Sequence, residues 1–182
     1  MSLEKLSDWP STKALKNFLI ICIIILLIIY PIMTYLFTIS YPVSFIESQL
    51  SFSGQLIKQF NTSANIELYR IANILDYFFM LSYGGIFFCI GLIIARKFNH
   101  RTIWRRISFI LIPLTIIAPL CDAIENIFIL LMLTDPLGFP DIWAITHSCF
   151  ALIKYIVMFI GFGWLGIALI KLWIIRKPKK SL

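Results

Sequence analysis

Cysteine is missing from every stretch that reads as a loop. The four thiols, Cys22, Cys89, Cys121 and Cys149, all fall inside long apolar runs, and no C-x-x-C spacing occurs. This excludes a disulfide framework and a dithiol redox motif, and four packed thiols are expected instead. Acidic residues are also scarce: nine Asp and Glu stand against 16 Lys and Arg, for a formal charge of +7. Residues 17–39 carry no charge of either sign. A nucleotide loop is lacking too. Gly161-Phe-Gly163-Trp-Leu-Gly166 spells G-x-G-x-x-G, but it sits inside an apolar run with no strand before it. It is therefore expected to let helices approach closely, and no cofactor is expected.

What the chain has in excess is apolar surface. It is 60% hydrophobic with a mean hydropathy of +0.91, more than a soluble core of 182 residues has any need for, so the class is integral membrane and all-α. Four spans are expected, at about 17–39, 71–95, 107–133 and 142–175, making residues 1–182 a single four-helix membrane domain. The first apolar run is too long for a signal peptide and no small-residue cleavage site follows it, so it reads as a retained span.

Basic residues bunch at the ends of these runs. Three lie in residues 1–16, five in 96–106 and five from Lys171 onward, against Lys58 and Arg70 in the 40–70 loop. The positive-inside rule then puts both termini in the cytoplasm. Basic charge spread along membrane boundaries in this way does not suit nucleic acid; the partner it implies is the lipid bilayer. The tail Lys179-Lys180-Ser-Leu182 has dilysine retrieval spacing, although ordinary positive-inside charge explains it as well. A cell membrane is expected in a prokaryote, and the endoplasmic reticulum becomes an option in a eukaryote.

Residues 40–70 form the one substantial loop, expected outside. Within 44–60, Ile46, Leu50, Ile57 and Phe60 share a face if the segment is helical, suggesting an amphipathic interfacial helix that Gly54 weakens. Asn61-Thr-Ser63 fits a glycosylation acceptor, a triplet common by chance. The second helix has room to begin as early as Ser63. Thr134 to Asp141 is a tight acidic turn punctuated by Pro136, Gly138 and Pro140. Tyr30, Pro31 and Thr34 give the first span a kink and a polar rim. Pro119 frees the carbonyl of Thr115 and bends the third span just before its acids.

Those acids are the most informative feature of the chain. Asp122, Glu125 and Asn126 sit at i, i+3 and i+4 in an otherwise apolar run, and so share one helical face. A charge in hydrocarbon costs at least ~2.5 kcal/mol, so intramembrane acids face protein or water and often mark function. A rise of 1.5 Å per residue places Asp122 about 18 Å and Glu125 about 13 Å below the outer boundary. Lys154 and His147 in span four lie about 20 and 9 Å down, and Asp76 and Tyr83 in span two about 8 and 18 Å. Depth pairs Lys154 with Asp122, and His147 with Asp76 or Glu125. Three acids against one certain cation leave an excess, which a bound proton, water or a cationic ligand would have to balance. A metal is not expected, since two carboxylates and one His lack any characteristic ligand spacing.

The architecture resembles the emopamil-binding and sigma-2 receptor group of four-span membrane proteins. The shared elements are a long loop after span one, acids in spans two and three, a short basic loop and a lysine-rich tail. Tyr41-Pro-Val-Ser-Phe45 and Asp122 with Glu125 are the local echoes. The departure lies in span four, which carries His147 and Lys154 in place of the group's aromatic and acidic pattern. The Asp-x-x-Glu-Asn element equally suits some other four-span family. Claudin-like and tetraspanin-like readings fail for want of loop cysteines.

Three functions compete. The first is an intramembrane site that binds a lipid-like or sterol-like molecule, with acid–base processing as an extension. Tyr77, Phe78, Phe79, Tyr83, Phe87 and Phe88 would line it, and Asn126 would join its polar groups. Glu125 would be the proton donor or base, Asp122 and Lys154 the orienting pair, and His147 or Asp76 the relay. The second is a small proton-coupled carrier, which with four spans would need a homo-oligomer. The third is a structural or assembly protein whose polar groups serve packing.

Overall fold

The computed structural model describes residues 3–176, and the tail with its dilysine spacing lies outside them. After a 3-10 turn at Leu3–Ser7, seven helices follow: α1 Thr12–Ser40, α2 Phe45–Gln49, α3 Gly54–Asn61, α4 Ile66–Lys97, α5 Ile103–Leu111, α6 Leu114–Met132 and α7 Asp141–Arg176. No strand occurs among the described residues. Four stretches are long and apolar enough to cross a membrane: Thr12–Ser40, Ile66–Lys97, Ile103–Met132 and Asp141–Ile175. By length and composition this is a multi-pass membrane protein. Helix α7, at 36 residues, is about 54 Å long and exceeds a hydrocarbon core of about 30 Å.

Side-chain caps decide where the helices begin. Ser11 accepts the Ala14 N–H, Asn65 that of Leu68, and Thr102 that of Arg105, each satisfying a donor the helix itself leaves free. The same chemistry divides the 40–70 loop. Ser44 caps α2 through Glu47 N–H and Ser53 caps a second helix through Leu56 N–H, while Phe52 between them takes a positive φ of 50°. The single amphipathic helix expected over 44–60 is thus two short ones, and Ile46 is exposed while Ile57 is buried. Gly54 opens α3 against the start of α7, where a Cβ would lie 2.9 Å from the Asp141 Cα. The third span is also divided. Pro113 has no N–H to donate into the ladder, so α5 ends and α6 begins around it, and Thr115 Oγ1 donates to the Ile112 carbonyl at 2.6 Å.

The packing order is α1 on α4, α4 on α6 and α6 on α7, with α1 and α7 not packed on each other to any extent. Apolar clusters cap the bundle at both ends, with a further one of Ile94, Phe98, Ala168 and Leu172 joining α4 to α7. At the loop end Phe37, Ile57, Tyr69, Ile129, Leu133 and Phe139 pack together; at the terminal end Leu6, Leu15, Leu92, Phe109 and Ile112 do so. Between them lies a polar band. Cys22, Cys89 and Cys121 are packed as expected, but Cys149 is exposed on α7. Close contact through Gly161, Gly163 and Gly166 does not occur: a Cβ at any of them would meet nothing within 4 Å.

Candidate functional site

Three helices supply the polar band. From α6, Asp122, Glu125 and Asn126 point inward together, as their spacing requires, and are 5%, 0% and 1% exposed. From α7, Lys154 Nζ donates to Asp122 Oδ1 at 2.8 Å. It also meets Glu125 Oε2 at 2.6 Å, as an ion-pair contact off the hydrogen-bond direction. One ammonium thus joins two carboxylates a helical turn apart. Tyr83 of α4 donates its hydroxyl to Asp122 Oδ2 at 3.0 Å, so both oxygens of Asp122 are engaged. His147 Nε2 lies 3.5 Å from Glu125 Oε1.

A second polar string runs alongside on α4 and α6. Asn126 Nδ2 donates to Asp76 Oδ2 at 2.8 Å and reaches the Asn73 carbonyl at 3.2 Å. Asn73 in turn donates to the Tyr69 carbonyl at 2.7 Å. Asp76 therefore pairs with neither His147 nor Lys154. Of the two partners that depth allowed His147, the structure selects Glu125.

Part of this polar band faces a cavity of about 950 Å³. It lies between α1 and α7, where the bundle is not closed by helix packing. Its floor holds Asp76, Tyr83, Asp122 and Lys154; its apolar walls include Leu26 and Tyr30 of α1, Phe79 and Phe87 of α4, and Met158 and Phe162 of α7. At the loop end, Phe45 and Gln49 of α2 close it, with the Tyr155 hydroxyl hydrogen-bonded to Gln49 Oε1. Further contacts seal that end: the Phe52 N–H to Ser148 Oγ, Lys58 to Asp141, and Asn61 to the Pro136 carbonyl. The lining is mostly apolar with a few convergent polar groups, the composition of a small-molecule site.

The expected site residues divide by position. Asp76, Tyr83, Asp122 and Lys154 line the cavity together; Glu125, His147 and Asn126 stand behind that floor. Tyr77 is not brought in. Its hydroxyl donates to the Ala123 carbonyl, and it lines a separate apolar groove on the other side of α4 with Phe88. Phe78 is exposed. Only Phe79, Tyr83 and Phe87, four residues apart, share the cavity face. The contribution of α1, and of Gln49 and Tyr155, was not expected. Tyr30, Pro31 and Thr34 on the polar rim were its only signal. No group of three or more His, Cys, Asp or Glu able to hold a metal occurs among the described residues. In comparisons with known proteins, no family model, no curated protein and no solved structure matches the chain.

Proposed function

We propose that this protein binds a lipid-like small molecule in the cleft between α1 and α7. The molecule enters sideways from the bilayer, lays its apolar body along Leu26, Tyr30, Phe87 and Phe162, and sets its polar end against Asp76, Tyr83, Asp122 and Lys154. The observation that carries this reading is one cavity with apolar aromatic walls and a floor of buried ionisable groups. Burying such groups in a low-dielectric interior is costly, and packing alone does not require a third buried acid, Asp76, beside the two that Lys154 answers.

Within this reading, Asp76 is the acid placed to exchange a proton with a bound molecule, because both oxygens of Asp122 are engaged while Asp76 uses Oδ2 on Asn126. Glu125 touches Lys154 and not the cavity, so it acts as a positioning residue that holds the ammonium. Native mass spectra of the purified protein test the proposal. A stoichiometric apolar adduct is expected for the wild type and is expected to be lost in Leu26→Trp, which fills the wall, and weakened in Asp76→Asn. A bare spectrum after incubation with a total lipid extract, or an adduct indifferent to both changes, would overturn it. A carrier would instead show as an oligomer in the same spectra.

A further inference from the structure

Two of the most deeply buried ionisable side chains stand behind the cavity. His147 is 1% exposed and Glu125 0%. Neither imidazole nitrogen has a hydrogen-bond partner among the described residues, and of the Glu125 oxygens Oε2 is held by the Lys154 ammonium while Oε1 has no hydrogen-bond partner. Buried polar atoms are nearly always satisfied by protein or by ordered water, and leaving several unsatisfied in one place is costly. The closest approach, 3.5 Å from Nε2 to Oε1, is too long for a good direct hydrogen bond. Beside the ring lies a void of about 10 Å³, bordered by Tyr41, Ser48, Asn61 and Tyr69 and by apolar side chains such as Ile129 and Met132. That is about the space one water needs, and hydroxyl and amide side chains are the partners a buried water takes.

We propose that His147 and this void form a one-water proton-exchange site, which connects Glu125, and through it the Lys154–Asp122 pair, with the aqueous phase at the loop end. The inference rests on the ligand-site reading, since a cleft open only to hydrocarbon offers no proton source of its own. As the water passes a proton to one imidazole nitrogen it takes another from the aqueous phase at the loop end, so no hydroxide is left behind. The other ring nitrogen gives its proton to the Glu125 carboxylate when side-chain motion closes the 3.5 Å gap. The ring ends neutral in its other tautomer and resets by rotation or by the reverse transfer. The groups facing His147 come from every element around it: Tyr41 after α1, Ser48 of α2, Asn61 of α3, Tyr69 of α4 and Glu125 of α6. On its own helix, Lys154 holds the other oxygen of Glu125. Tyr41 stands where the route meets the loop end, its hydroxyl donating weakly to Asn61 Oδ1 at 3.4 Å. Burial pushes its phenol up to about 12, against a smaller opposing pull from the Ser48 hydroxyl. It therefore stays protonated near neutral pH, as a hydrogen-bond carrier must.

The chain has two histidines, so His100→Gln leaves His147 as the one imidazole to observe by NMR in lipid nanodiscs. Magnetisation transfer from water to the His147 ring is expected in that background. Ser48→Leu, which fills the void, slows it by at least about tenfold, because exchange then needs local opening. Tyr41→Phe keeps the shape, removes the hydroxyl and is also expected to slow it; this variant decides the matter where Ser48→Leu does not fold. No transfer in the parent, or an unchanged rate in Tyr41→Phe, would overturn the proposal. The lipid adduct is read on the same samples. An adduct without exchange removes this route and spares the ligand site; exchange without an adduct does the reverse.

Discussion

Lys154 is the residue on which the polar band depends, because it answers two acids at once. Removing it leaves Asp122 and Glu125 facing each other with no cation, whereas removing Asp122's charge leaves Lys154 still paired with Glu125. Lys154→Met is therefore expected to destabilise the fold by about 3 kcal/mol or more, as for other buried pairs that lose one partner. Asp122→Asn keeps an acceptor for Tyr83 and is expected to cost about 1 kcal/mol. Unfolding in detergent measures both, and equal losses would deny that the ammonium is shared. The Lys154–Asp122 pair was legible in the sequence because helical rise converts position into depth. That one ammonium serves both acids was not, since depth says nothing of how far each helix is rotated about its axis. For the same reason Tyr77 and Tyr83 read alike as lining residues, although α4 turns only Tyr83 toward the cavity.

At the scale of elements, helix boundaries followed from caps and prolines, while helix contacts did not follow from glycines. The G-x-G-x-x-G run in α7 reads as a close-packing stripe, yet it faces open space. Glycines that do set an approach lie on α4: a Cβ at Gly84 would fall 2.8 Å from Pro119 Cγ of α6, and one at Gly85 2.5 Å from Cys22 Sγ and 3.1 Å from the Phe18 ring of α1. Nothing local distinguishes the two cases, because a lipid-facing and a helix-facing glycine have the same apolar neighbours in sequence. The contrast is measurable. Gly85→Leu must push α1 away and is expected to cost about 2 kcal/mol, the usual penalty of overpacking. Gly163→Leu is expected to stay within about 0.5 kcal/mol of wild type. Thermal unfolding in one detergent compares them directly, and equal midpoints would mean that α1 is not seated on α4 as described.

On the scale of the whole molecule, the bundle is closed at the loop end by α2 and α3 and open on the side between α1 and α7. The wall that α1 gives the cavity could not be read from sequence, because a residue facing a lipid chain and one facing a lipid-like ligand are chosen by the same apolar preference. What the structure adds is the arrangement: apolar clusters at both ends, ionisable groups between them, and a cavity on the side between α1 and α7. The proposed ligand would then enter from the bilayer and not through the loop end. In a background with Cys22, Cys89, Cys121 and Cys149 replaced, a cysteine introduced at Met158, on the cavity wall, is expected to react readily with an apolar maleimide dissolved in the bilayer. Relative to the same two reagents at an exposed control site, a charged thiosulfonate is expected to be slowed roughly 70-fold or more, the ratio that a cost of at least ~2.5 kcal/mol for a charge in hydrocarbon implies. Ser44→Cys, at the exposed start of α2, serves as the control and should favour neither reagent to that degree. Equal rates at Met158→Cys would mean that water reaches the cavity through the loop end, and the seal made by Gln49 with Tyr155 and by Lys58 with Asp141 would then have to open in solution.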